Sequence, residues 1–374
     1  MKKSVLLLIS LLLPLMAAAQ GPEGEPSGEK RTPVEIDGLK YYLDEDPCEA
    51  TVANGNQWTG ELEIPPEVEY NGHIYPVTYI SWRAFVGCET LTKVLIPKSV
   101  KDIQHYAGYI AYKNPFYECT SLESIEVEEG SQYMCSLDGV LYNYDKTMLY
   151  SYPAGSKRET YTIPEGVEMI GFGSFHHCTA LKSVTMPNTV INGFSCEFQG
   201  CSSLEEVKLS NNLTDLGDGM FMDCSQLKTV DIPPSIKRIS NEAFKGCTSL
   251  KKLDVPASVT NIGYMVFAGC SFEELVIRGI LKKDGWDNYY GWDIFKGLAE
   301  SSVVYVPATE VEECKKYFSG VVLPLEDDAT LIKSCDMAAQ CQRDSIFYDL
   351  QGRRISGQPK AGIYIRDGRK VVVR

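Results

Sequence analysis

The chain has 374 residues, 36 Lys and Arg against 50 Asp and Glu, and a net charge of −14. So acidic a balance argues against nucleic acid as a partner, because a phosphate backbone needs a basic footprint; its simplest reading is solubility. Thirteen cysteines stand beside four histidines, so sulfur has to be accounted for before imidazole.

Lys2 and Lys3 open the chain, Val5 to Leu15 form a short apolar run broken by Pro14, and Ala17-Ala18-Ala19 supplies small residues for cleavage. This is the pattern of a secretory signal over residues 1–19. The run is too short to cross a bilayer, no Cys follows it for a lipoprotein anchor, and no later segment reads as a membrane span. Cleavage would remove two lysines and no acid, taking the net charge to −16. Residues 20–33 hold three Gly, three Pro and three Glu and no apolar side chain. They cannot bury enough surface to offset their ordering entropy, and a flexible linker is expected.

Folded sequence begins at Val34. Residues 34–79, with Val34-x-Ile36-Asp37-Gly38 and Glu61-Leu62-Glu63-Ile64-Pro65, predict a β-rich half-repeat placed to cover the first open edge of a longer repeat array.

The array itself is plain from residue 80 onward. Phe175, Phe198, Phe221, Phe244 and Phe267 recur at a spacing of 23, and three residues after each stands Cys178, Cys201, Cys224, Cys247 or Cys270. Phe85 with Cys88 and Phe116 with Cys119 extend the series backward, and Phe295 extends it forward with Leu298 in the cysteine position. Between the anchors, Leu91-x-x-Val94-x-Ile96-Pro97, Leu181-x-x-Val184-x-Met186-Pro187, Leu227-x-x-Val230-x-Ile232-Pro233 and Leu250-x-x-Leu253-x-Val255-Pro256 repeat one unit: a short strand, a turn at Pro, and a coiled return to the next Phe. One such turn cannot bury its own apolar side chains, but neighbours stacked about 4.8 Å apart make them a continuous core.

The unit resembles the BspA-like leucine-rich repeats of secreted and surface proteins common in Bacteroidetes and treponemes, over about residues 80–310. The resemblance implies a mainly β fold, a right-handed solenoid of about eight turns with β-rich caps at both ends. It also implies a non-catalytic scaffold, exported to the cell surface or medium with the periplasm as an alternative, that binds host or neighbouring-cell proteins. Irregularity is expected at Gly193, whose place Phe194 could fill, at Ser210 in a proline position, and in the turn of Cys270, which is one residue short.

Three intervals exceed the period. Phe85 to Phe116 gains an insertion at 104–115 carrying Tyr106, Tyr109 and Tyr112. Phe116 to Phe175 spans 59 residues and gains one at 128–165, read as a partial turn plus a hairpin around Leu137-Asp138-Gly139-Val140-Leu141-Tyr142. Phe267 to Phe295 gains one at 279–293 with Trp286, Tyr289, Tyr290 and Trp292. Insertions between repeats gather on one face, often the binding face, and large rings on loops suit protein or glycan recognition. These seven side chains are the sequence's candidate ligand contacts; the competing reading is that the rings pack down as satellite cores.

Val304-Tyr305-Val306-Pro307 reads as a last strand, followed within 311–345 by a polar helical cap and a linker. The tail, 346–374, reads as three short strands in Ile346–Arg354, Gly362–Ile365 and Val371–Arg374. It resembles the end of the C-terminal sorting domains of type IX secretion over about 30 residues; a vestigial cap is the alternative.

The seven ladder cysteines are expected to face inward as small apolar groups rather than form a disulfide framework, and among the other cysteines Cys335 and Cys341, close in sequence, are the pair expected to bridge if any does. His177 beside Cys178 invites a metal or thiolate reading, but it stands where sister repeats have Gly, Glu or Asp, and no second cluster has ligand spacing. Asn212 has the form of a glycan acceptor and is read instead as an inward repeat position. No nucleophile elbow, phosphate loop or His-Glu-x-x-His occurs, so no cofactor and no enzymatic activity are expected. The function read from the sequence is a binding scaffold for protein; alternatives are a glycan-binding module using residues 286–292 and a structural envelope protein without a soluble ligand. The outward strand column Leu95, Glu126, Thr185, Lys208, Asp231, Asp254, Val276, Tyr305 mixes charges and names no partner.

Overall fold

A computed structural model describes residues 32–104, 114–193, 195–279 and 293–325, together with short strands between 347 and 373. The expected signal, nearly all of the linker, and the pair Cys335 and Cys341 lie outside these residues.

The fold is mainly β. Its N-terminal part comprises β1 (Val34–Ile36), β2 (Leu39–Glu45), β3 (Cys48–Val52), β4 (Gly60–Glu63), β5 (Glu67–Tyr70) and β6 (His73–Ser81). Two-residue turns at Asp37-Gly38 and Asn71-Gly72 close β1–β2 and β5–β6, with both residues of each at positive φ, the hairpin geometry that Asn/Asp-Gly pairs favour. Five of these strands form one sheet in the order β1-β2-β3-β6-β5.

Two strands then recur per repeat. The Leu-x-x-Val-x-Ile stretch gives the first, beginning with β7 (Leu91–Ile96), and the residues after the proline give the second, beginning with β8 (Asp102–Gln104). First strands pair in parallel with first strands: β4 with β7, and β7 with β9 (Ser124–Val127). Farther on, Ser183–Thr185 and Glu206–Lys208 pair at a register of 23, Val184 opposite Val207. The N-terminal sheet joins the stack of second strands, through β6 to β8. The half-repeat therefore covers one of the two stacks, and β4 remains the edge of the other.

Inside the coil the aromatic rings form a ladder. Phe175, Phe198, Phe221, Phe244 and Phe267 are all 0 % exposed and stack at centroid distances of 5.0, 5.7, 5.4 and 6.3 Å. Phe85 and Phe116 stack at 5.6 Å, and Phe295 meets Phe318 at 5.5 Å. The ladder cysteines are buried free thiols. They have a second role that the sequence did not reveal. Cys201, Cys224, Cys247 and Cys270 donate to the carbonyls of Phe175, Phe198, Phe221 and Phe244 at 3.0–3.1 Å. Each thiol thus bonds the backbone of the preceding turn, which alanine could not do.

The residue just before each cysteine takes a left-handed backbone: Gly87, Glu118, His177, Gly200, Asp223, Gly246 and Gly269, with φ between 56° and 77°. Glycine adopts it without strain and the others at some cost. His177 occupies this turn.

The interval from Phe116 to Phe175 holds a rung that a count of phenylalanines passes over. Tyr152, 23 residues before Phe175, is 3 % exposed and stacks on it at 5.1 Å. Gly155 stands where the cysteine would be, and a Cβ there would lie 2.4 Å from the Ser121 backbone. Ahead of this rung come β10 (Met134–Leu137), β11 (Val140–Asn143) and β12 (Met148–Ser151). They divide the core in two. Leu141, Met148 and Tyr150 pack with the N-terminal cluster, whereas Val140, Tyr142, Leu149 and Tyr152 pack with the C-terminal one.

Three irregular positions resolve locally. A Cβ on Gly193 would lie 2.7 Å from Glu197 Oε1, so this buried carboxylate, standing where sister repeats carry Ala84 or Ala243, lies against the space that the missing side chain leaves; Phe194 is outside the described residues. Ser210 is 0 % exposed and donates to Val190 O at 2.5 Å. Asn212 is exposed rather than inward, its amide donating to Asn188 O at 2.7 Å, and Leu213 takes the inward place.

Two expectations at the far end need correction. Val303–Val306 is not the last strand of the stack, because Val321–Pro324 pairs with it in parallel beyond the short helix α1 (Val311–Cys314). The apolar run Val321-Val322-Leu323 extends the sheet, so the helix connects two strands rather than ending the coil. Among the described residues the tail forms four strands where three were expected: Phe347–Tyr348 pairs with Arg354–Ile355 and with Gly362–Arg366, which pairs with Arg369–Val373. A single strand from Ile346 to Arg354 would carry Asp349 and Gly352, residues that strands disfavour.

Candidate binding surface

The first-strand face is bound to itself by charge. Lys182 meets Glu159 at 2.7 Å, Lys228 meets Glu205 at 2.6 Å and Lys252 meets Glu274 at 3.1 Å. Arg278 holds Asp254 through two bonds of 2.8 and 2.7 Å. All link adjacent turns, because the repeat sets residues 22 to 24 apart side by side. Exposed pairs of this kind contribute little stability, but they neutralise the face locally. Of the outward column, Lys208, Asp231 and Asp254 are exposed, whereas Val276 is 8 % exposed and Tyr305 half-buried.

The inserted hairpin differs. Arg158, in the position of the repeat's first leucine, donates through its guanidinium to Asp138 O in the hairpin turn, and Ile125 N donates to Gly139 O at 2.9 Å. Of its tyrosines, Tyr142, Tyr150 and Tyr152 are core, and Tyr142 shares a 2.5 Å hydroxyl bond with Tyr161. Tyr133 and Tyr144 are 48 % and 58 % exposed and are joined by Tyr144 N donating to Tyr133 O at 3.0 Å. Leu137, at the other end of the hairpin, is 37 % exposed. Sequence reasoning passed over this pair; the signal was two tyrosines bracketing a hairpin otherwise rich in apolar residues. The candidates Tyr106, Tyr109, Tyr112, Trp286, Tyr289, Tyr290 and Trp292 lie outside the described residues.

His176 and His177 form no metal site with their neighbours; among the described residues no group of three or more His, Cys, Asp or Glu is placed to hold a metal ion. His176 is 4 % exposed, its Nδ1 lacks a hydrogen-bond partner among the described residues, and it stacks on Tyr117 at 3.9 Å and on His177 at 4.2 Å. Burial, helped by the charge of His177, pushes its pKa down to about 3. An unfolded imidazole takes its proton near pH 6.5, so between these values the unfolded chain binds more protons and stability falls as pH falls. His176→Phe should flatten the acid limb of a urea-unfolding series by about 1.4 kcal/mol per pH unit below 6. An unchanged limb would show that His176 is solvated.

The pattern described as the BspA type leucine rich repeat region matches the chain in six copies, over residues 73–137 and 150–273, half of its length. The chain belongs to this family. The gap in the BspA-type match, 138–149, falls within the insertion, on the turn after β10, on β11 and on the start of β12. Among solved structures the chain is similar to a leucine rich cell surface protein from Faecalibacterium prausnitzii, with 21% identity, a TM-score of 0.37, and coverage of 65% of this chain and 96% of that one. It is also similar to the pneumococcal vaccine antigen PcpA, with 17% identity, a TM-score of 0.40 and coverage of 79% and 99%. A leucine rich repeat protein of T. pallidum shows 24% identity, a TM-score of 0.33 and coverage of 64% and 89%. No curated protein matches the chain. Among the described residues no helix is long and apolar enough to cross a membrane.

Proposed function

We propose that this BspA-type chain is an exported, non-catalytic scaffold that binds protein at the bacterial surface. Its coil is read as right-handed and of about eight turns, with the N-terminal half-repeat capping the second-strand stack, and its tail as a type IX sorting signal. The observation that carries the reading is the hairpin insertion: it seats Tyr142 and Tyr150 in the core while leaving Tyr133 and Tyr144 exposed beside each other. A hairpin needed only for packing gains nothing from two large exposed rings, and tyrosines of this kind are what interface hot spots use. The loop with Trp286, Tyr289, Tyr290 and Trp292 and the loop with Tyr106, Tyr109 and Tyr112 are proposed as further contacts.

Pull-downs from extracellular-matrix extract, run beside a glycan array, test this. A retained protein is the expected result; a glycan retained instead would favour the module using 286–292, and blanks in both would favour a structural envelope role. With a partner in hand, Tyr133→Ala with Tyr144→Ala should weaken binding by about 2 kcal/mol and leave melting nearly unchanged. Trp286→Ala with Trp292→Ala should do the same, and a fall in stability of several kcal/mol would make those rings a satellite core.

A further inference from the structure

Among the described residues β1, β4 and β5 are each paired on one side only, and all three border one cleft of about 260 Å³. Its apolar floor includes Trp58, Leu62 and Val68, and its rim carries Asp37, Glu63, Glu67 and Glu69. The cleft is smaller than the roughly 300–1,000 Å³ of small-molecule sites and lies among strands, which favours a few side chains of an extended chain over a compact ligand.

The backbone of β4 supports this. Gly60 N and Ile64 N donate to Thr90 O and Leu95 O across the β7 side, so by strand alternation the N–H and C=O groups of Glu61 and Glu63 face the open edge. Glu61 O accepts the Trp58 indole N–H at 3.0 Å, so Trp58 lies at this edge and an added strand would use the N–H groups of Glu61 and Glu63 and the Glu63 carbonyl. Open strand edges are templates for added strands. The four rim carboxylates are exposed, and no ion pair engages them among the described residues, in contrast to the paired face of the later turns. Charge of one sign around an apolar floor is complementary to a basic, apolar segment.

The geometry points to a strand-addition site: the cleft takes an extended segment of a partner protein, with lysine or arginine alternating with apolar residues, as a new strand along β4. This inference rests on the protein-binding reading and names one chemistry for it. The test titrates the full mature chain, by calorimetry, with a short blocked peptide of alternating valine and lysine. Controls are the same peptide with glutamate for lysine, and the lysine peptide N-methylated on the backbone amides of alternate residues, in both registers.

The lysine peptide should bind, and the glutamate and N-methylated peptides should bind at least about tenfold more weakly. Glu63→Gln, Glu67→Gln and Glu69→Gln together, all at exposed positions, should weaken the lysine peptide by at least about tenfold without moving the melting curve. Equal binding of the N-methylated peptides would overturn strand addition, and indifference to the three Gln substitutions would overturn the site. If a partner captured in the pull-downs is retained in full by the triple variant and does not compete with the lysine peptide, this proposal fails while the protein-binding reading stands. Peptide binding at the cleft by a chain that captures no protein would leave the cleft in place and remove that reading.

Discussion

Phe221→Ala and Phe244→Ala should each destabilise the protein by about 3–5 kcal/mol. Both rings are fully buried and stacked on both sides, Phe221 at 5.7 and 5.4 Å and Phe244 at 5.4 and 6.3 Å. The cavity left by either truncation has no easy way to close. The turns above and below are held apart by backbone bonds such as Phe221 N to Ala243 O at 2.8 Å and Phe244 N to Val266 O at 3.0 Å, so the neighbouring rings cannot move together without breaking the coil. Urea unfolding of variant and parent measures the loss, and coincident curves would take the ring ladder out of the core.

Raising the pH above 9 should destabilise the protein steeply. Burial raises the thiol pKa of Cys178, Cys224 and Cys247 well above the usual thiol range and that of Cys270 and Cys314 to about 12. In the unfolded chain these thiols ionise at about 8.5. Above that pH the unfolded state releases protons that the fold retains, so stability falls as pH rises, by up to about 1.4 kcal/mol per pH unit for each fully shifted thiol. Several act together, which makes the slope large. Unfolding at pH 8, 9.5 and 10.5 checks it: Cys224→Ala with Cys247→Ala should make the decline shallower, and a flat profile would refute the neutral buried ladder. At neutral pH the thiols of Cys178, Cys201, Cys224, Cys247 and Cys270 should react with a labelling reagent only once denaturant is added. Disulfides between successive ladder positions in mass spectra would contradict this.

The strict period made most of the coil legible, because in a solenoid each turn touches only its neighbours and a one-dimensional pattern is then nearly a contact map. The rung at Tyr152 escaped for a local reason. Tyrosine replaces phenylalanine, Gly155 replaces the cysteine, and Arg158 replaces the first leucine, so three markers are lost in one turn while the spacing of 23 to Phe175 survives. Asn212 was misplaced because a polar residue next to an apolar one can take the inward position in the pattern, whereas the backbone turned Leu213 inward instead.

Amino-acid order by itself determined the repeat, the inward columns of phenylalanine and cysteine and the turn before each cysteine, since all of these follow from spacing and side-chain size. Only the tertiary structure decided which tyrosines of the hairpin are core and which are surface, because Tyr142 and Tyr144, two residues apart and so of the same strand parity, differ in what packs over them. It also decided that the N-terminal half-repeat covers the second-strand stack and leaves β4 open, and that the ladder thiols reach the carbonyls of the turn before. Such facts depend on how separate strands meet in space, and a residue pattern read along one dimension does not contain them.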